Sequence, residues 1–467
     1  MTFPVVIAIF ILATIPIPFA AVQPWVWSFY SLAIMGAFIA VLWRRKPGPA
    51  APVPSPAALM AAGLFFLVTL IQCLPLPNAA MALLSPMRFK TVTAAENLTG
   101  AHSHWHALSY SALTAFSWWI FLLGLFLFFL LVRHLCADRK TRNRLTALMI
   151  ALGLIEAVYG VIQALVPSLG VLWVDYFNEY MGYARGTFIN RNHFAGFIEM
   201  TWPLMLGLTM AMTDRGQSLK KALASDRLNR QAVMALGIVV LLLALLLSRS
   251  RAGITGGLLG LLTFWFMARP NMRRIGLPTR LLTIAAAVVL VIYCATIGVG
   301  PTFERFLSIG DGKSRIDIWR DSLAILGDHP LGIGLHNFET VFQVYNHAFV
   351  SDKTVLYAHN DYLQLLIETG WVGFFLLVGG LGLFIGKNFR LIRHLDADAD
   401  PQRFFLAVGA FSAIVSLAFH GLFDFNLQIP ANSVYFVTLM ALLSACTAQL
   451  PPASMPAPLS RSDRGPP

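Results

Sequence analysis

The residues whose types could do chemistry fall into a few short segments. His359, Asn360 and Asp361 stand together at the head of an apolar helical pattern, HNDYLQLLIETGWVG over 359–373. A histidine titrates near neutral pH and is the side chain most used as a general base. His336 and His347 lie in the same region and are equally available on composition. Arginines gather in three other segments. Arg185 and Arg191 sit in RGTFINRNHFAG (185–196), Arg249 and Arg251 in SRSRAG (248–253), and Arg315 and Arg320 in SRIDIWRDSLAIL (314–326). A guanidinium is a planar fork of donors that stays charged when partly buried, so several converging would hold a phosphate or diphosphate. For any single arginine the plainer reading is snorkelling to lipid phosphates. The group Arg191, Arg249, Arg251 and Arg315 points to a pocket instead, because Asn190, Asn192 and glycines accompany it.

Other polar residues weigh less. His102, His104 and His106 form an HxHxH run that would put three ligands on one face of a strand, but nothing nearby completes a metal site. No metal and no cofactor is expected. Glu156 and Glu199 fall inside apolar runs, where a carboxylate is a functional candidate by default. Glu199 is placed to orient an arginine, with a helix-packing partner as the equal alternative. Four scattered cysteines show no metal-binding spacing and read as small buried hydrophobes.

The elements that must position these residues are membrane helices. Of 467 residues, 57% are hydrophobic and 12% charged, against about 25% charged in a soluble domain. That excludes a disordered chain, a disulfide scaffold and an ordinary soluble enzyme. Apolar runs near bilayer-crossing length recur along the chain. They fall at about 3–20, 24–43, 57–74, 113–132, 145–166, 194–212, 232–248, 252–268, 281–300, 371–386, 404–422 and 432–449. Pro16 and Pro18 are expected to distort the outer end of the first. Gly256/Gly260 and Gly382/Gly386 fit GxxxG and read as close helix packing. The expected fold is an all-α integral membrane protein of about twelve transmembrane helices.

The net charge of +12 is not spread evenly. Alternate loops hold 23 of the 34 lysines and arginines, so those loops and both termini are assigned to the cytoplasm. This distribution also accounts for the basic balance without nucleic acid. The other loops are outer. Residues 1–300 comprise helices 1–9 with an outer loop at 75–112. Residues 301–370 form a large helical outer loop, 371–449 the last three helices, and 450–467 a Pro-rich disordered tail. Within 301–370, residues 314–326 read as a helix with Ser314 as N-cap and Trp319 on its apolar face. DHPLGIG (328–334) breaks it. A second helix then runs from 359 to Gly370, capped by Asn360 or Asp361.

Taken in order, these segments resemble the O-antigen ligase and Wzy-type polymerase superfamily of bacterial membrane glycan transferases. The resemblance rests on RGTFINRNHFAG, LSRSRAG (247–253), SRIDIWRDSLAILGDHPLGIGLHNF (314–338) and FDFNLQIPAN (423–432). The most specific segment is HNDYLQLLIETGWVG, with His359, Asn360, Gly370 and Gly373 in the family's spacing. The resemblance implies a GT-C-like glycosyltransferase of the bacterial inner membrane. Its donor would be a glycan on undecaprenyl diphosphate, and its acceptor lipid A-core or a lipid-linked oligosaccharide. It carries the essential histidine over to His359. The diphosphate-binding arginines carry over to Arg251 and Arg315, with Arg191 and Arg249 weaker candidates. Asn190, Asn192, Asn360, Trp319 and Glu368 would support them. The implied reaction is a metal-independent inverting displacement on the periplasmic face. Ligase and polymerase share this chemistry, and the residues do not choose between them. A transporter, the reading from another class, would place charges at mid-bilayer in matched halves. Here the unusual charges lie in outer loops.

Overall fold

The structure, a computed structural model, describes residues 2–43, 56–172, 174, 180–212, 226–272, 310–347 and 354–448. The chain is mostly helical. Ten helices are long and apolar enough to cross a membrane. They are α2 (Pro24–Trp43), α3 (Pro56–Cys73), α6 (Ala112–Leu135), α7 (Arg139–Leu165), α8 (Arg191–Ala211), α9 (Asp226–Leu247), α10 (Arg251–Met272), α13 (Asp361–Arg393), α14 (Pro401–His420) and α15 (Pro430–Thr447). The expected span at 281–300 and the tail from 450 lie outside the described residues.

The first expected span is shorter than its apolar run. Helix α1 (Phe3–Thr14) stops ahead of Pro16, and a 3-10 turn at Phe19–Ala21 leads into α2. Pro16 brings no N–H of its own, so the ladder of helical hydrogen bonds cannot run on through it. Between α3 and α6, the short strands β1 (Pro75–Pro77) and β2 (Trp105–Ala107) pair antiparallel and close a loop that holds α4 (Asn78–Leu84) and α5 (Pro86–Thr99). Of the HxHxH run only His106 lies in a strand, and it faces Glu96 at 3.1 Å.

Three helices make the centre. In α8 83% of the spanning window is buried, and in α14 and α15 78%; in α13 the share is 17%. The first three carry the site ends described below, while most of the α13 span is left uncovered by the described residues. Helix α10 approaches α14 closely: a Cβ on Gly256 would meet the Ser416 carbonyl at 3.0 Å, and one on Gly260 the Ser416 Cβ at 3.2 Å. This is the packing expected of that glycine pair. Gly382 and Gly386 differ, because nothing within 4 Å would meet a Cβ on either, so that pair packs no helix among the described residues.

Two further expectations are corrected. Helix α11 (Gly310–Asp328) runs through Ser314, which is therefore inside the helix and not its cap. The helix expected to end at Gly370 instead kinks there, with φ 68° and ψ −178°, and continues as the membrane part of α13.

The kink is locked by the DHPLGIG loop. The Gly334 amide donates to the Glu368 carbonyl at 2.9 Å, Ile333 to Ile367 at 3.1 Å, and Trp371 to Pro330 at 3.1 Å. The Gln72 amide donates to the Leu331 carbonyl at 2.6 Å, tying in α3. Gly332 has φ +87°, and a Cβ there would meet the Glu368 carbonyl oxygen at 2.5 Å and the Gly370 nitrogen at 2.6 Å. Both the conformation and the space demand glycine. Gly332→Ala is expected to cost about 1–3 kcal/mol. A thermal melt of the detergent-purified variant checks this, and an unchanged Tm overturns it.

Candidate functional site

The segments singled out in the sequence meet at one end of the bundle. Helices α8, α10, α13 and α15 begin there, and α9 and α14 finish there.

Asn190 starts α8: its side chain accepts from the Asn192 amide at 2.8 Å. This cap draws Arg191 and Asn192 into the helix, not the preceding loop. The SRSRAG turn is built by its serines. Ser248 Oγ accepts from the Ser250 amide at 3.2 Å, and Ser250 Oγ from the Gly253 amide at 3.3 Å. Arg249 between them takes φ 50°. Arg191 donates to the Arg249 carbonyl at 3.3 Å. Both guanidinium groups lie over the Tyr183 ring, at 4.4 and 4.9 Å from its centroid. Arg251 opens α10, whose first turn packs on α8 through Gly253 and Ala195.

His359 is fixed from both sides. The Ala358 amide donates to Gln364 at 3.1 Å, and the Trp319 indole donates to the Ala358 carbonyl at 2.9 Å. Asn360 caps α13, accepting from the Tyr362 and Leu363 amides, each at 3.0 Å. His359 itself has φ 50°, a region that non-glycine residues keep only where surroundings hold them. Asp361 laces this turn to the loop after α14. Its amide donates to the Gly421 and Asp424 carbonyls at 2.8 and 3.1 Å, and its carboxylate accepts from the Leu427 amide at 3.1 Å. Glu368 is buried two helical turns further on, where it accepts from Gln364 at 2.9 Å and from the backbone amides of His336 and Phe338. It supports the loop and stands apart from the open end.

What the sequence reading did not single out is the group at the centre, Asp424, within the FDFNLQIPAN turn. Its side chain is 1% exposed. Oδ2 accepts from the Asn192 side chain at 2.6 Å and faces Arg315 Nη2 at 3.7 Å. Oδ1 faces His359 Nδ1 at 3.6 Å and His193 Nε2 at 3.8 Å. The last three contacts are longer than hydrogen bonds and act through charge. Its neighbours His359 and Arg315 are 33% and 29% exposed, so the cluster opens outward over a buried anion. An acidic residue in a short turn between two spans is the signal that could have found it, since a carboxylate there must meet cations.

Of the two readings of Glu199, the structure has the helix-packing one. Glu199 pairs with His420 Nδ1 at 2.7 Å and accepts from Ser416 at 2.8 Å, both on α14, and among the described residues it meets no arginine. Arg320 faces Asp317 at 3.1 Å and is largely exposed, as is His347, so neither joins the cluster. His336 stacks on Trp118 at 4.1 Å instead.

Burial alone would raise the Asp424 carboxyl. The close approach of His359 and the charges of His193 and Arg315 outweigh it and hold the group well below the ordinary carboxylate range. A group depressed on folding contributes stability that is present above its unfolded pKa and is lost as pH falls. The difference in Tm between wild type and Asp424→Asn is therefore expected to be constant down to about pH 5 and to shrink below about pH 4. A difference that already collapses at neutral pH overturns this.

Residues 236–378 match the family model described as O-Antigen ligase. No curated protein matches the chain. The matched stretch carries Arg249, Arg251, Arg315, Trp319, His359, Asn360 and Glu368; Asn192 and Asp424 lie outside it. The match supports the O-antigen ligase and polymerase superfamily, and with it a multi-pass membrane enzyme of glycosyltransferase type.

Proposed function

We propose, for a chain with an O-antigen ligase family segment at 236–378, that it moves a glycan from undecaprenyl diphosphate to an acceptor hydroxyl on the periplasmic face of the bacterial inner membrane. The acceptor put first is lipid A-core, a ligase reaction, because the matched family model is described as O-Antigen ligase. The supporting observation is the Asp424 cluster, where a histidine and an arginine from separate segments face outward from one buried carboxylate.

His359 accepts the proton of the acceptor hydroxyl. With Nδ1 turned to Asp424, the carboxylate favours the tautomer protonated there, leaving Nε2 as the acceptor. The 3.6 Å separation has room to tighten as charge grows on the ring. As the oxygen attacks the anomeric carbon, the sugar–phosphate bond breaks and the diphosphate leaves with that electron pair. One displacement of this kind inverts the anomeric centre. Arg315 and Arg251, with Arg191 and Arg249, bind the diphosphate and stabilise the charge that develops on it. Two guanidinium groups over the one Tyr183 ring concentrate positive charge of the kind a phosphate satisfies. The cytoplasmic placement of both termini and the GT-C-like arrangement belong to the same reading.

The test is a strain lacking the protein, complemented with wild type, its envelope glycans run on a gel. Bare lipid A-core beside accumulated long lipid-linked polymer supports the ligase. Single repeat units on carrier or core make it a polymerase. No change in either refutes transfer and favours transport.

A further inference from the structure

A cavity of about 360 Å³ opens between the first turns of α2 and α6 at the site end of the bundle. Trp27 and Trp118 wall it from these helices, and His336 and Tyr357 from the loops before α12 (Phe338–Tyr345) and α13. Ser117 and Gln428 add a hydroxyl and an amide. Among the described residues no Asp, Glu, Lys or Arg lines it. Burial depresses His336 to about 4, so its ring is neutral at neutral pH. A charge-free wall of this kind does not suit a diphosphate.

The rings form a continuous series. Trp27 meets Trp118 at 5.6 Å, and Trp118 stacks on His336 at 4.1 Å and 20°. His336 lies 6.0 Å from Tyr357, which stacks on Phe425 at 4.0 Å and 11°. Phe425 meets the His359 ring at 5.0 Å. The series therefore runs from the cavity to the proposed base. His336 takes φ 56° to lay its ring on Trp118, a strained backbone of the kind found where a ligand is clamped. A pyranose ring has C–H groups on its faces and hydroxyls at its rim. It is matched by aromatic surface together with neutral donors and acceptors. A hydrocarbon tail would leave the Gln428 amide unused, whereas a sugar hydroxyl could also reach the Ser117 oxygen, whose own hydrogen goes to the Leu113 carbonyl at 2.8 Å.

We propose that this cavity is a subsite for one neutral sugar ring of the transferred or accepting glycan, separate from the arginines and reached along the ring series from His359. It rests on the transferase reading for its ligand. The ring could belong to donor or acceptor, and the experiment distinguishes them.

The probe is the strain's own glycan, released from its carrier by mild acid and fluorescently labelled, so that it carries neither lipid nor phosphate. Binding is measured to the purified full chain in nanodiscs. Wild type and His359→Ala are expected to bind alike. Ser117→Phe, which fills the cavity, and Tyr357→Leu, which removes a ring, are expected to bind about fivefold more weakly. Either variant serves if the other fails to fold. In steady-state transfer the same variants are expected to raise KM with kcat within about twofold. A rise confined to the acceptor that accumulates in the deletion strain assigns an acceptor ring; a rise confined to the donor assigns a donor ring. Unchanged glycan binding in both variants overturns the subsite. So does a Ser117→Phe effect that appears only as altered dependence on the donor's polyprenyl length, which would make the cavity a lipid seat. Glycan binding without transfer by wild type would sink the transferase reading and leave the subsite standing.

Discussion

His359→Ala is expected to lower glycan transfer by about two to four orders of magnitude, the usual loss when a general base is removed. The protein should remain folded. His359 is a third exposed, and its backbone is held by neighbours: Trp319 and Gln364 grip Ala358, and Asn360 caps the helix that follows. The measurement is initial rate in nanodiscs against donor and acceptor concentration, with a melting curve beside it. The loss should fall on kcat, with donor KM near the wild-type value, because the proposed diphosphate site is built from arginines of other segments. Full transfer by a folded His359→Ala protein would remove the base assignment.

Asp424→Asn should cost nearly as much, about 10²–10⁴-fold in kcat, for a different reason. In the proposed reaction Asp424 is a positioning residue: at 1% exposure it has no route to substrate and would act through His359. An amide in its place no longer favours the imidazole tautomer that leaves Nε2 free. It also leaves His193 and Arg315 facing a neutral group in a buried site, so the variant should be less stable. A melt alone therefore cannot separate the two effects. The pattern of kcat against KM can: a purely structural role would reduce the amount of active enzyme, and the surviving fraction, counted by donor binding, would turn over at the wild-type rate.

Most of the fold is legible in the sequence because a bilayer imposes length and apolarity on each span, and both are local properties. The expected spans at 24–43 and 57–74 differ from α2 and α3 by at most a residue. What local patterns do not carry is tertiary partnership. Gly370 reads as a helix end because glycine usually is one; only the approach of Pro330 and Leu331 makes it a kink within α13. Ser314 reads as a cap because its type and the Asp317 spacing fit, yet α11 already runs through it from Gly310. Glu199 and His420 are 221 residues apart, and no spacing rule joins them. The site follows the same division. His359, Arg315 and Asn192 are conspicuous by type, and the structure gathers them. Their common neighbour, Asp424, is one carboxylate in a turn between phenylalanines, and only the folded arrangement gives it four partners.

The order in which the chain is made gives the Asp424 cluster a further meaning. Asn192 and Asp424 are 232 residues apart, and the carboxylate follows α14. A nascent chain that has emerged through residue 400 already has Arg315 and His359, but not the carboxylate that faces both. At the roughly 5–20 residues per second of synthesis, Asn192 waits some tens of seconds for its partner. Insertion of the α14–α15 hairpin ends that wait. In the proposed reaction, then, His359 gains the carboxylate that orients it only once this last hairpin is in place.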